Sequence, residues 1–166
     1  MATILIVSPH PDDETLGCGG TLLKHKAQGD ALFWLMMTRM APEVGYSEEQ
    51  MHARVEEIKS VARAYGMTDV FPLDFAATTL YTIPRRELMD TVIKVVAEIK
   101  PAIVYVPNRS DIHSDHRVTF AAVMGAIKTF RAPAVKRVLS YEVLSETEFA
   151  PPFQSDAFAP NSFSDI

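Results

Sequence analysis

Ile4-Leu5-Ile6-Val7, then Ser8-Pro9-His10-Pro11-Asp12-Asp13-Glu14, then Thr15-Leu16-Gly17-Cys18-Gly19-Gly20 is the stretch on which the fold class turns. A short apolar run rich in β-branched residues reads as a strand buried on both faces, as in a parallel sheet. From Glu14 to Gln28 the pattern becomes helical, and Gly29 offers the C-terminal cap. The same alternation continues outward. Ala31 to Thr38 reads as a strand, Ser47 to Tyr65 as a helix closed by Gly66, and Val70 to Leu73 as a short strand weakened by Pro72. Pro84 opens a helix to Lys100, Ala102 to Val106 is a fourth strand ended by Pro107, a helix follows from Ser114 to Thr129, and Val138 to Val143 is a fifth strand. Strands alternating with helices of this length make an α/β three-layer sandwich with a mostly parallel, Rossmann-like sheet.

In such sheets ligands sit beyond the carboxyl ends of the strands, where the strand order reverses. With the order 3-2-1-4-5 the reversal falls between the first and fourth strands, so the loops after Val7 and Val106 are the ones to inspect. The first carries His10-Pro11-Asp12-Asp13-Glu14. The second carries Asp111-Ile112-His113-Ser114-Asp115-His116. Imidazole nitrogen together with carboxylate oxygen suits a zinc-type divalent metal, and His113 and His116, three apart at a helix start, can share one face. A plainer reading exists for each cluster. Asp12 could cap the first helix, with Asp13 and Glu14 favoured by its dipole. Ser110, Asp111 or Ser114 could cap the later helix, leaving its histidines in solvent. Two such clusters at neighbouring strand ends favour a site over two accidents.

Composition narrows the partners. Sixteen basic against twenty-one acidic residues leave a formal charge of −5, and without basic clusters this argues against nucleic acid or an anionic membrane. The longest apolar run, Ala31 to Met37, is far below the ~20 residues of a membrane span. Met1-Ala2-Thr3 leads into too short an apolar run for a signal peptide. Cys18 is the only cysteine, so no intrachain disulfide can form, and a small buried thiol is its expected role. A cytoplasmic single domain over residues 1–166 is expected; a homo-oligomer is compatible with the pattern. Gly17-Cys18-Gly19-Gly20 lacks the Gly-x-Gly-x-x-Gly spacing of a dinucleotide loop and follows three acids. No Gly-x-Ser-x-Gly elbow is present.

The two-part signature His10-Pro11-Asp12-Asp13-Glu14 and His113-Ser114-Asp115-His116 resembles the LmbE-like, or PIG-L, family of zinc-dependent N-acetylglucosaminyl de-N-acetylases. The similarity extends through Thr15 to Gly20, through Arg54-Val55-Glu56-Glu57 with Ala64-Tyr65-Gly66, and to the late segment Phe158 to Ile166. It implies that His10, Asp13 and His116 bind the metal, that Asp12 is the general base, and that His113 faces the reacting carbonyl. It implies zinc-dependent hydrolysis of an N-acetyl amide by metal-activated water, on an N-acetylglucosamine-containing small molecule. Either Asp12 or His113 would be the acid that protonates the leaving nitrogen. Family members continue past a segment like Pro160 to Ile166, so the C-terminal end is expected to be cut short. Hydrolysis of a different small amide, or a metal-binding module without catalysis, are the other readings. Zinc is the default ion, with iron or cobalt compatible with the same ligands.

Physical chemistry supports that assignment without producing it. Three protein ligands leave a fourth position for water, as in catalytic zinc sites, and a carboxylate off the metal is then needed to take a proton. Asp115 is expected to orient one of the histidines from behind. Arg54 projects into the apolar sector formed by Met51, Val55, Ile58, Val61, Ala62 and Tyr65, where an unpaired charge is costly. A salt bridge to Glu57 would explain it; a contact to a sugar hydroxyl or phosphate, which the resemblance favours, would also. Arg39 to Tyr46 and Asp74 to Ile83 follow strand ends and could line the pocket. Thr38-Arg39-Met40 departs from the Thr-x-Gly turn common in the family. His25, between Lys24 and Lys26, and His52, among glutamates, are expected on solvated helix faces.

Overall fold

A computed structural model describes residues 1–150, 153 and 156–166. Five strands alternate with helices: β1 (Thr3–Ser8), α1 (Asp13–Ala27), β2 (Ala31–Arg39), α2 (Glu48–Tyr65), β3 (Asp69–Ala76), α3 (Arg85–Ile99), β4 (Ile103–Pro107), α4 (Ser114–Ala126), β5 (Arg137–Tyr141) and the one-turn α5 (Leu144–Thr147). The strands form one sheet of order β3-β2-β1-β4-β5, and every neighbouring pair is parallel. The expected reversal therefore lies between β1 and β4.

β1 explains the layering. Ile4 and Ile6 pack with Cys18 and Leu22 of α1 and Tyr65 of α2, whereas Leu5 and Val7 pack with Leu88 and Val92 of α3 and Ala122 and Val123 of α4. Successive strand side chains point to opposite faces, so an unbroken apolar run requires cover on both. All four residues from Ile4 to Val7 are fully buried, each contributing roughly 1.5–3 kcal/mol on transfer from water. The register Ile6↔Tyr105 and Val7↔Leu35 brings the carboxyl ends of β1, β4 and β2 to one edge.

Local chemistry sets the helix ends. Ser47 caps α2 in a reciprocal box with Gln50, and Gly66 at φ 66° closes it in the left-handed region that favours glycine. β3 runs past the expected Val70–Leu73 on both sides. Pro72 is tolerated because β3 lies at the sheet edge, where a missing N–H donor costs least. α4 ends at Ala126 rather than Thr129, and the chain after β5 turns into α5 instead of continuing the strand to Val143. Among the described residues no helix is long and apolar enough to cross a membrane.

Candidate metal centre and catalytic pocket

The loops after β1 and β4 meet. After β1 the chain makes a tight turn in which the backbone N–H of Asp12 donates to the His10 carbonyl at 3.1 Å and that of His10 donates to Asp13 Oδ2 at 2.8 Å. This turn fixes the Asp13 carboxylate, which is buried. Its Oδ2 lies 3.5 Å from His10 Nδ1 and its Oδ1 3.5 Å from His116 Nε2. His116 enters from the first turn of α4 and is also buried. His113, at the N-terminal cap of α4, completes a cluster in which the three histidines each offer a nitrogen within 4.8 Å of the others.

The back of each ring determines what its front can do. His116 Nδ1 donates to Asp111 Oδ2 at 2.8 Å, which leaves the Nε2 lone pair facing Asp13. His10 Nε2 lies 3.2 Å from Asp115 Oδ2. Asp115 also accepts the backbone N–H groups of Thr78 (2.6 Å) and Leu80 (3.2 Å). Burial opposes its charge, but the hydrogen bonds from His10 and Thr78 hold its carboxyl below the usual range. An ionised carboxylate only accepts, so His10 Nε2 is the donor, and Nδ1 is the nitrogen that faces Asp13 and gains a lone pair when the ring gives up its second proton. Burial also works against a charged His10, yet Asp115 and Asp13 outweigh it and push the ring up to about 9.

His113 is oriented the other way. Its Nδ1 accepts the backbone N–H of Asp115 at 3.1 Å, so the neutral ring carries its proton on Nε2. Burial first, then the neighbouring rings of His10 and His116, lower its pKa and favour that neutral form. In their neutral forms, then, His10 and His116 turn lone pairs towards Asp13, whereas His113 turns a donor into the cluster. Two imidazoles and a carboxylate, with each imidazole held from behind by a second carboxylate, are a donor set that could hold a zinc-type divalent ion with an open position.

Asp12 occupies the N-terminal cap position of α1 but makes no capping hydrogen bond, so the capping reading fails for its side chain. Nor do Ser110, Asp111 or Ser114 cap α4; His113 does. Asp12 lines the pocket, half exposed, and burial together with the Asp13 charge pushes its carboxyl up, with Arg54 pulling it back. Arg54 Nη1 donates to the Pro11 carbonyl at 2.7 Å and stands 4.0 Å from Asp12 Oδ2. Its Nε stands 3.3 Å from Glu57, so the salt bridge and the approach to the site coexist. The cavity above these groups measures about 250 Å³, near the lower end of ligand pockets at ~300–1,000 Å³. Arg39, Tyr46 and Thr78 line one part of it and Ser145 and Glu146 another. Arg39 is itself paired with Asp74 and Glu43.

Residues 5–127 match the family model described as "PIG-L: GlcNAc-PI de-N-acetylase". The chain belongs to the PIG-L family. Within it, the chain is 31% identical over 162 residues to a probable N-acetyl-alpha-D-glucosaminyl L-malate deacetylase 2 of Bacillus anthracis, covering 90% of this chain and 70% of that protein. It is 33% identical over 122 residues to the diacetylchitobiose deacetylase of Thermococcus kodakarensis, covering 69% of this chain but 45% of the relative. Among solved structures, the conserved protein TT1542 from Thermus thermophilus superposes with a TM-score of 0.73 at 30% identity, over 86% of this chain and 66% of that one. Both curated relatives just named are deacetylases, enzymes that hydrolyse amides.

Several residues behind this PIG-L site carried no sequence signal. Thr78 adopts φ 66°, a left-handed conformation unusual for a β-branched residue, and gives Asp115 its shortest hydrogen bond. Thr147 of α5 reaches Asp111 at 2.7 Å. Glu14, quoted in the first motif but given no role there beyond the first helical turn, is buried behind the pocket, bonded by the Thr15 hydroxyl, and burial pushes its carboxyl up to about 7. His25 is not on a solvated face: it bridges Asp30 (2.7 Å) and Tyr105 (3.0 Å). His52 is exposed and bonds only the Glu48 carbonyl of its own helix among the described contacts.

Proposed function

We propose that this chain is a metal-dependent amidohydrolase that removes the acetyl group from an N-acetylglucosamine-containing small molecule, releasing acetate and a free amine. The observation that carries the reading is the pair of 3.5 Å approaches of Asp13 to His10 Nδ1 and His116 Nε2, with both rings held from behind by Asp115 and Asp111. His10, Asp13 and His116 would hold the ion. When bound, a zinc-type ion polarises the amide carbonyl and brings the pKa of water down to ~7. His113 stays off the metal because its Nδ1 is occupied by the Asp115 N–H, and its Nε2–H donates to the carbonyl oxygen as negative charge develops there.

Asp12 supplies the base. Its carboxylate is free of any capping bond, takes a proton from the water that attacks the carbonyl carbon, and returns it to the nitrogen as the C–N bond breaks. The raised pKa of Asp12 suits that double role, because a very weak base would take the proton too reluctantly. Arg54 fixes the Pro11-Asp12 turn and offers its remaining donors to substrate hydroxyls. The amino-sugar substrate is inferred from what the relatives named above act on, and the small cavity suits one acetamido sugar ring with its aglycone outside.

The test is acetate release from N-acetylglucosamine conjugates, including diacetylchitobiose, with zinc-loaded protein before and after chelation. Release that stops with chelator and returns with zinc is the expected result. Bound metal without release from any N-acetyl amide overturns the enzyme reading. Metal binding in two variants tests the ligand set: Asp13→Ala should lose the ion and His113→Ala should keep it, and the reverse result would make the three histidines the ligands.

A further inference from the structure

We infer that Thr147, on the one-turn helix α5, is a positioning residue for the metal ligand His116, acting through Asp111. This rests on the proposed role of His116 as a ligand. The Thr147 hydroxyl accepts the backbone N–H of Val143 at 2.9 Å and donates to Asp111 Oδ1 at 2.7 Å. The other oxygen of Asp111 accepts His116 Nδ1–H at 2.8 Å. Thr147 and Asp111 are buried, as is His116, so no bulk water can replace a missing member. With its single proton committed to Asp111 and a lone pair committed to Val143, the hydroxyl has one orientation. Asp111 is thereby fixed at both oxygens, and His116 is fixed in the tautomer that leaves the Nε2 lone pair free.

The same short helix also builds a wall of the pocket. Ser145 and Glu146 line the cavity, and the Glu146 carbonyl accepts the backbone N–H of Ile112 at 3.1 Å, tying α5 to the loop that carries Asp111 and His113. Pocket shape and ligand orientation are therefore set by one element that follows the edge strand β5. That element lies about thirty residues beyond the His-x-x-His pair, outside both halves of the metal signature and beyond the residues matched by the family model.

The experiment is a zinc and cobalt titration against a competing chromophoric chelator, with the folded state checked by circular dichroism. Thr147→Val keeps the side-chain shape but removes the donor. It is expected to weaken metal binding by about 10–100-fold, the range for loss of an outer-shell partner, and to alter the visible spectrum of bound cobalt. Thr147→Ser restores the hydroxyl and should restore both. Asp111→Asn carries the same expectation as Thr147→Val and keeps the test readable if the valine variant does not fold. Affinity within about threefold of the parent in Asp111→Asn and in a folded Thr147→Val, beside a clear loss in His116→Ala, overturns the relay alone; failure of Thr147→Ser to restore binding overturns it too. Unchanged binding in His116→Ala would instead overturn the ligand assignment on which the relay rests.

Discussion

Gly17→Ala tests whether the packing of α1 against β5 is as tight as the structure has it. A Cβ added at Gly17 would fall 2.7 Å from the Glu142 carbonyl oxygen and 2.9 Å from Tyr141 Cε2, with Cδ2 nearer still. Ordinary carbon contacts are ~3.5–4.0 Å, so helix and strand must part by at least half an ångström. The ring has nowhere to go: Tyr141 is buried and its hydroxyl donates to the Val7 carbonyl at 2.8 Å. Overpacking costs ~1–3 kcal/mol, and weakening the tyrosine hydrogen bond adds ~1 kcal/mol. Alanine's better helix propensity returns ~1 kcal/mol. The net loss is ~1–3 kcal/mol, and at roughly 2–4 °C per kcal/mol for a chain of this size it lowers Tm by several degrees. Gly20→Ala is the internal control. The three atoms nearest its Cβ all belong to the Ile166 side chain, which is 82% exposed and can swing aside, so the propensity gain should survive and Tm should hold or rise. Thermal melts of the two variants decide the matter, and a Gly17→Ala protein as stable as Gly20→Ala would refute the packing argument. Because α1 begins at Asp13, one helical turn before Gly17, any displacement that does occur should also weaken metal binding in Gly17→Ala and not in Gly20→Ala.

Asp12→Asn removes the proposed base without touching the proposed ligands, so kcat should fall by ~10²–10⁴-fold while metal content is unchanged; turnover near the parent level would remove Asp12 from the chemistry. Arg54→Ala should raise KM more than it lowers kcat, and steady-state kinetics with an unchanged KM would leave Arg54 as a partner of Glu57 and Pro11 only. Asp30→Asn addresses stability far from the site. The Ala2 N–H and His25 hold the Asp30 carboxyl below its usual range, so its contribution is present above its unfolded pKa of ~3.9 and fades as pH falls through the lower folded value. The Tm gap between parent and variant should therefore be steady near pH 5 and narrow as pH falls below ~4, and a gap that does not narrow between pH 5 and pH 3 contradicts the assignment.

How much of this was legible in the sequence depended on the range of the interaction concerned. Ile4 to Val7 announced a doubly covered strand because four adjacent apolar residues leave no solvent-facing side. His10-Pro11-Asp12-Asp13 and His113 to His116 announced where to look because parallel sheets place ligands at a known edge. Neither stretch could disclose which carboxylate backs which ring. Asp111 serves His116, five residues on, whereas Asp115 reaches across 105 positions to His10. Thr147 was invisible for a different reason: a four-residue helix has no period to detect, and a threonine after an edge strand resembles any loop residue. His25 was misread because its charged neighbours Lys24 and Lys26 suggested a solvated face, while Asp30 in the following turn and Tyr105 on β4 draw the ring inward.

Five of the acids at or just behind this site come from its two signature loops, and on the proposed reading side-chain type does little to distinguish them. Asp13 faces two ring nitrogens because the His10 N–H pins its carboxylate inside a tight turn. Asp111 and Asp115 face the backs of the same rings and are locked there, by a hydroxyl in one case and two backbone N–H groups in the other. Glu14 points into the interior and is driven towards neutrality. Asp12, alone of these five, lines the cavity with a half-exposed carboxylate that makes no bond to the helix it precedes, and on that reading this freedom is what a general base requires. Exchanging Asp12 and Asp13 by sequence would leave the motif's composition intact. Yet the first position looks out over the pocket and the second is clamped by the turn, so on the proposed reading the order of two identical residues separates proton transfer from metal binding.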